Sequence, residues 1–297
     1  TSMVTDQYLD NWLNGLKKSF SNMGQKNEEM ILFHMADEPG WYYPHQIDEV
    51  KKDPSRLDVF RNYLKSKRFT PQTFGKNSWD DVYPMKLSEP VTLADRKLFF
   101  WTTRFYVESL SNAFAAATRA FQRAYNSNIL TTTNLNNWPG LFFRPSPGQK
   151  IANNWDAGPD AGMGLPDWFD LGRKKAVSCI WTEDWFGDSS AQNWSMYGDL
   201  LRCAAREGGI EYGGYIVGHT TGGRVPEGGK YKIMALIGHG AKAIDPYIFG
   251  PGPAFADGWS EREQVYQSLS EGIRILGKSE KLVAPGRPKN GTVAILL

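Results

Sequence analysis

Residues 30–40 read MILFHMADEPG: an apolar run from Met30 to Ala36 that stops on two acids, Asp37 and Glu38, and a Pro39-Gly40 turn. A short run of this kind reads as a buried strand, and Pro-Gly directly after it punctuates its end. Downstream the pattern recurs. Residues 128–135 (NILTTTNL), 176–182 (AVSCIWT) and 242–249 each close on polar or charged groups, and 213–218 (GGYIVG) reads as a fifth strand. Stretches of helical spacing separate them. Residues 6–24 set Tyr8, Leu9, Trp12, Leu13, Leu16 and Phe20 on one face, and 95–125 form a long helix rich in Ala and Phe. Segments at 166–174, 193–206, within 219–239 and at 260–276 complete the series. Residues 41–94 carry Pro44, Pro54, Pro71, Pro84 and Pro90 with one short helical piece from Leu57 to Tyr63, and read as a long inserted loop region.

Strands alternating with helices at this spacing make parallel βαβ units, hence an α/β chain. Polar or charged groups at the ends of four of these runs favour a (β/α)8 TIM barrel over a doubly wound sheet, because a barrel gathers its chemistry at that end. No GxGxxG follows the first strand and no GxxxxGK[ST] occurs anywhere, which removes the main support for a nucleotide or dinucleotide fold. A closed barrel needs eight strands and five are legible. The expectation is therefore an incomplete barrel whose upstream strands lie outside this chain. Residues 1–280 would be the partial TIM-barrel catalytic domain, with its insertion at 41–94, and 281–297, ending in GTVAILL, would start a following domain or linker.

Composition narrows the partners. Of 297 residues, 41% are hydrophobic and 22% charged, the balance of a folded protein rather than a disordered one. A formal net charge of +2, with no block of one sign, gives no electrostatic reason to expect nucleic acid. No run reaches the roughly 20 apolar residues that cross a bilayer, so no membrane partner is expected either. Cys179 and Cys203 form no CxxC or Cys/His ligand spacing, and both are expected to pack in the core. The four histidines offer no metal-ligand spacing, and His34 and His239, within apolar runs, are expected to be core residues. With 11 Trp, 13 Tyr and 16 Phe, the chain has aromatic faces to spare for stacking on a ligand.

Two segments concentrate chemistry. Glu38 stands at a strand end beside Asp37, with Trp41, Tyr42 and Tyr43 just beyond. A carboxyl among aromatic rings loses hydration and keeps its proton more readily, as a general acid requires. Glu183 repeats the arrangement in CIWTEDWFGD, with Trp181 before it and Asp184 and Trp185 after it. Two acidic strand ends with aromatic walls suit hydrolysis of a glycosidic bond, one carboxyl protonating the leaving oxygen and the other attacking or activating water. That chemistry calls for no cofactor.

The segments HMADEPGWYYP, FRNYLKSKRFTPQTFGKNSWDDVYP, ILTTTNL and IGHGAKAIDPYIFG, in that order over about residues 6–276, resemble the catalytic barrel of clan A glycoside hydrolases. The chain looks most similar to the family 42 β-galactosidases and their relatives. The resemblance implies a hydrolase of β-linked, galactoside-like glycosides, with Glu38 as acid/base on the fourth barrel strand. It also implies a carbohydrate substrate as the partner, further domains or chains completing the barrel, and, by analogy alone, a secreted or periplasmic rather than cytoplasmic location. Two departures stand out. The family usually has Asn before the acid/base where this chain has Asp37, an extra acid that would raise the proton affinity of Glu38 if both were buried. The family's nucleophilic glutamate on the seventh strand is replaced in GGYIVGHTTGG by His219. Three roles stay open for Glu183: a substitute nucleophile, a base for water, or a sugar ligand. A catalytically inactive carbohydrate-binding barrel is the alternative. Asn134, Trp138, Asp245, Tyr247 and His219 are the remaining candidates for holding sugar hydroxyls or stacking on a ring.

Overall fold

The computed structural model describes residues 6–40, 43–135, 166–183, 192–217, 227–247 and 263–289, of which residues 6, 43–45, 192, 193 and 217 by their backbone alone. Two compact units divide the chain, Thr1–Val177 and Ser178–Leu297. Both are α/β, with parallel strands alternating with helices.

In the first unit, helix α1 (Asp6–Asn22) precedes strand β1 (Leu32–Asp37). Helices α2 (Tyr43–Lys52), α3 (Pro54–Ser66) and α4 (Leu93–Ala124) follow, then strand β2 (Leu130–Leu135) and helix α5 (Trp168–Arg173). Strands β1 and β2 are parallel, joined in register from Leu32 opposite Leu130. Leu9 and Leu13 of α1 meet Ala116, Ala120 and Phe121 of α4 over this pair, and Phe33 lays its ring 4.2 Å from that of Phe121. Thr118 of α4 donates to the carbonyl of Ala176 at 2.7 Å, so its oxygen is left to accept from Thr131 of β2, also at 2.7 Å. One face of β2 is thereby clamped to the helix.

The stretch expected to be a loop region is instead largely helical from Tyr43 to Ser66, with single turns of 3-10 helix at Pro71–Phe74 and Trp79–Asp81. Pro44, Pro54 and Pro71 lie at the first or second position of an element rather than interrupting one. Asp53 caps α3 by accepting from the backbone of Ser55 and Arg56, and Pro54 fills the first position, where no amide hydrogen is needed. Ile47, Val50, Leu57, Phe60, Leu64 and Phe74 close a core of their own against Leu98 and Phe105. Helix α4, 32 residues and about 48 Å long, thus serves two cores, one with each half. It opens on a capping box in which Thr92 and Asp95 satisfy each other's backbone N–H groups. Phe60 is fully buried with its ring 5.2 Å from Phe105. Phe60→Ala should cost about 3–5 kcal/mol in urea denaturation, because the surrounding helices cannot fill the void.

In the second unit, strands β3 (Cys179–Thr182), β4 (Glu211–Val217) and β5 (Ala243–Tyr247) are parallel, with helix α6 (Gln192–Gly208) between the first two and α7 (Gly228–Gly238) between the last two. Helix α8 (Glu263–Val283) follows. All four residues of β3 are buried, as in a parallel strand covered on both faces. Close approach requires glycine at Gly213 more than at Gly214. A Cβ on Gly213 would lie 2.5 Å from the carbonyl oxygen of Ala243, backbone that cannot yield, whereas one on Gly214 would meet the mobile end of Leu236. Gly213→Ala should therefore destabilise by about 1–3 kcal/mol and Gly214→Ala by less, as read from the shift in melting temperature.

The two cysteines part company. Cys179 is buried, and burial pushes its thiol up to about 12. Cys203 is exposed, contrary to expectation. The apolar stripe of α6 runs through Trp194, Tyr197, Leu200, Leu201 and Ala204, and Cys203 lies off it, two turns beyond the exposed Met196.

Candidate functional site

The C-terminal end of β1 is irregular in a way that places its acids. His34 is opposite Thr132 and Asp37 is opposite Asn134, so three steps along β1 match two along β2. One extra residue forms a bulge. Without it His34 and Asp37 would point to opposite faces; with it both share the face of Thr132 and Asn134. The bulge also leaves the carbonyl of Ala36 without its place in the ladder, and the hydroxyl of Thr133 donates to it at 2.7 Å. Asn134 then secures the end twice. Its backbone carbonyl accepts from the N–H of Glu38 at 2.9 Å, and its amide nitrogen donates to the Asp37 carboxylate at 2.8 Å.

Glu38 itself has φ of 41°, the left-handed region, unusual for a residue with a side chain and doubly so before proline. It is half-buried, and the neighbouring Asp37 is exposed. The condition that both acids be buried is thus not met. Backbone in this region costs on the order of 1–2 kcal/mol, and such strain collects where a side chain must be aimed.

Of the histidines expected in the core, His34 is exposed, because β1 pairs with β2 and with no other described strand. His239 caps the end of α7 and is half-buried, its Nδ1 2.8 Å from a carboxylate oxygen of Asp199.

Glu183 directly follows β3 in the second unit and is 1% exposed. A carboxyl so removed from water holds its proton or an oppositely charged or hydrogen-bonding partner. Trp181, two residues before it, is also buried. Across this unit's strands, Asp245 of β5 is in register with Tyr215 of β4, and the ring of Tyr247 stacks on that of Tyr215 at 4.9 Å. Asp245 and Tyr247 are half-buried and share a face, being two residues apart on one strand. Glu38, Asp37 and Asn134 belong to the first unit, and Glu183, Trp181, Asp245 and Tyr247 to the second. Trp41, Tyr42, Trp138, Asp184, Trp185 and His219 lie outside the described residues. Among the described residues no group of three His, Cys, Asp or Glu is placed to hold a metal ion, and no helix is long and apolar enough to cross a membrane.

One residue of this region passed unnoticed in the sequence. Thr132 is fully buried, and its hydroxyl has no hydrogen-bond partner among the described residues. The same holds for the carbonyl oxygen of the Asn134 side chain, at 4% exposure. The amide cannot be turned round to help, since a carboxylate only accepts and the nitrogen must face Asp37. An unsatisfied buried polar group costs about 1–3 kcal/mol, and β2 carries two on one face. The signal was the alternation in LTTTNL: Thr131 and Thr133 serve the fold, while Thr132 and Asn134 face the other way.

No family model matches the chain, and no curated protein matches it, so the likeness to family 42 gains no support. Among solved structures, an endo-β-1,4-mannanase from Thermotoga petrophila is similar over 70% of this chain, at 11% identity and a TM-score of 0.37. The match takes in 54% of the mannanase, so this chain spans about half the length of the structure it matches.

Proposed function

We propose that the protein is a glycoside hydrolase acting on a β-linked glycoside or oligosaccharide, on an incomplete (β/α)8 barrel, with Glu38 as general acid/base and Glu183 as the second carboxylate. The observation that carries this reading is the end of β1, where a bulge, a left-handed Glu38 and two bonds with Asn134 together fix the backbone that carries two adjacent acids at the end of a parallel strand. A turn of no consequence would not need strain held in place by a neighbouring strand. Glu183, buried at the end of another parallel strand, supplies a carboxyl in an environment unlike that of Glu38. Acid and base roles require carboxyls in unlike environments. Galactoside-type substrates follow from the resemblance of the segments alone.

The second reading, a catalytically inactive carbohydrate-binding barrel, is favoured by one feature, His219 where the resemblance expects a nucleophilic glutamate. A panel of aryl β-glycosides and β-linked oligosaccharides, galactosides included, decides between them. Release of aryl alcohol or reducing ends by the wild-type chain supports the hydrolase. Saturable sugar binding without any release would move the protein to the second reading.

A further inference from the structure

We infer that the sheet face bearing His34, Thr132, Asp37 and Asn134 is a ligand-binding floor, on which Thr132 Oγ1 and Asn134 Oδ1 take hydrogen bonds from the hydroxyls of a neutral polyhydroxylated ligand. The inference takes its ligand class from the hydrolase reading and extends the site one register step down the strands from the acids.

Four observations converge. Register and bulge bring the four residues to one face. Each buried group of β2 stands beside an exposed group of β1, Thr132 beside His34 and Asn134 beside Asp37. Both β2 groups keep a buried polar atom without a partner among the described residues, although their chain neighbours Thr131 and Thr133 are bonded. Finally, the two atoms belong to residues two apart on a strand, roughly 6.5 Å along it, the scale of one sugar ring with its hydroxyls.

The chemistry fits neutral hydroxyls better than an anion or an apolar group. Asn134 Oδ1 only accepts, so it needs a donor, and the Asp37 carboxylate beside it repels negative charge. A hydroxyl on Thr132 both gives and takes. An apolar ligand would leave both atoms as they are.

The test compares the wild-type chain with Thr132→Val, which removes the hydroxyl and keeps the shape, and Thr132→Ser, which restores it. Calorimetric titration with methyl β-galactoside, lactose and mannotriose reads binding, and a melting curve reads the fold. Expected is binding of at least one probe, weakened about tenfold in Thr132→Val and recovered in Thr132→Ser, with the melting temperature of Thr132→Val no lower than that of the wild type. Equal affinity in Thr132→Val overturns the inference, since the hydroxyl then contributes nothing to binding. Failure of every probe to bind overturns the ligand class. Turnover on the same preparations separates the two proposals. Hydrolysis insensitive to Thr132→Val leaves the hydrolase standing without this floor, and probe binding that weakens in Thr132→Val without hydrolysis leaves the floor without the hydrolase.

Discussion

Glu38→Gln should lower turnover of a β-glycoside by about 10²–10⁴-fold while leaving substrate affinity nearly intact, because the amide keeps the shape of the carboxyl and cannot give up a proton. The backbone reasons for expecting the shape to hold are local. The N–H of Glu38 is bonded to Asn134, and Pro39 restricts the chain on the other side. Neither depends on the side chain. Steady-state kinetics with a substrate whose leaving group needs protonation should show the loss in kcat and little change in KM. Undiminished turnover would remove Glu38 from the chemistry. A companion substitution separates geometry from charge. Glu38→Gly relieves left-handed strain of about 1–2 kcal/mol, which offsets the roughly 0.5–1 kcal/mol that glycine costs in chain entropy. The glycine variant should therefore be as inactive as the glutamine one and yet melt no lower than wild type. At most positions outside a turn, the same change would destabilise.

The alternation of strands and helices was legible because buried parallel strands are short apolar runs and the helices between them keep a periodic stripe. Expected and observed strands agree to within about three residues at their described ends, from β1 at Leu32–Asp37 to β5 at Ala243–Tyr247. Residues 41–94 were misread for a specific reason. Repeated prolines suggest a loop, yet Pro54 and Pro71 occupy the first position of a helix or 3-10 turn, behind Asp53 and Thr70. The cap before each proline was the signal, and it was overlooked. Cys203 failed in another way. A free cysteine tends to be buried, but here the stripe of α6 decides, and Cys203 lies outside it.

The site divides along the same line. That Asp37 and Glu38 close a strand could be read from one chain segment. That Asp37 shares a face with Thr132 and Asn134 could not, because it depends on a bulge, a property of two strands paired in space. Strict alternation from His34 would have put Asp37 on the wrong side. The exposure of His34 is likewise a matter of where β1 stands in its sheet, which its apolar neighbours Phe33 and Met35 do not reveal.

Glu183→Gln carries the second large effect and distinguishes the roles left open for this carboxyl. As nucleophile or as base for water, Glu183 acts in the transition state, so its loss should lower kcat by about 10²-fold or more. As a sugar ligand it contributes alike to ground and transition states, and its loss should raise KM with kcat held. Substitution at a position 1% exposed also invites a folding defect, so the melting temperature is measured alongside. Unchanged kinetics in a folded variant would leave Glu183 a structural carboxyl and require a different second catalytic group. If kcat falls, the anomer first released, read by proton NMR, completes the assignment. Retention requires Glu38 and Glu183 to stand about 5–5.5 Å apart with one of them bonding to the sugar, whereas inversion needs about 6.5–9.5 Å to admit a water. His219 cannot take the place of the carboxylate in the first case without changing the intermediate, so a retained anomer together with a collapsed kcat would identify Glu183 as the nucleophile of this chain.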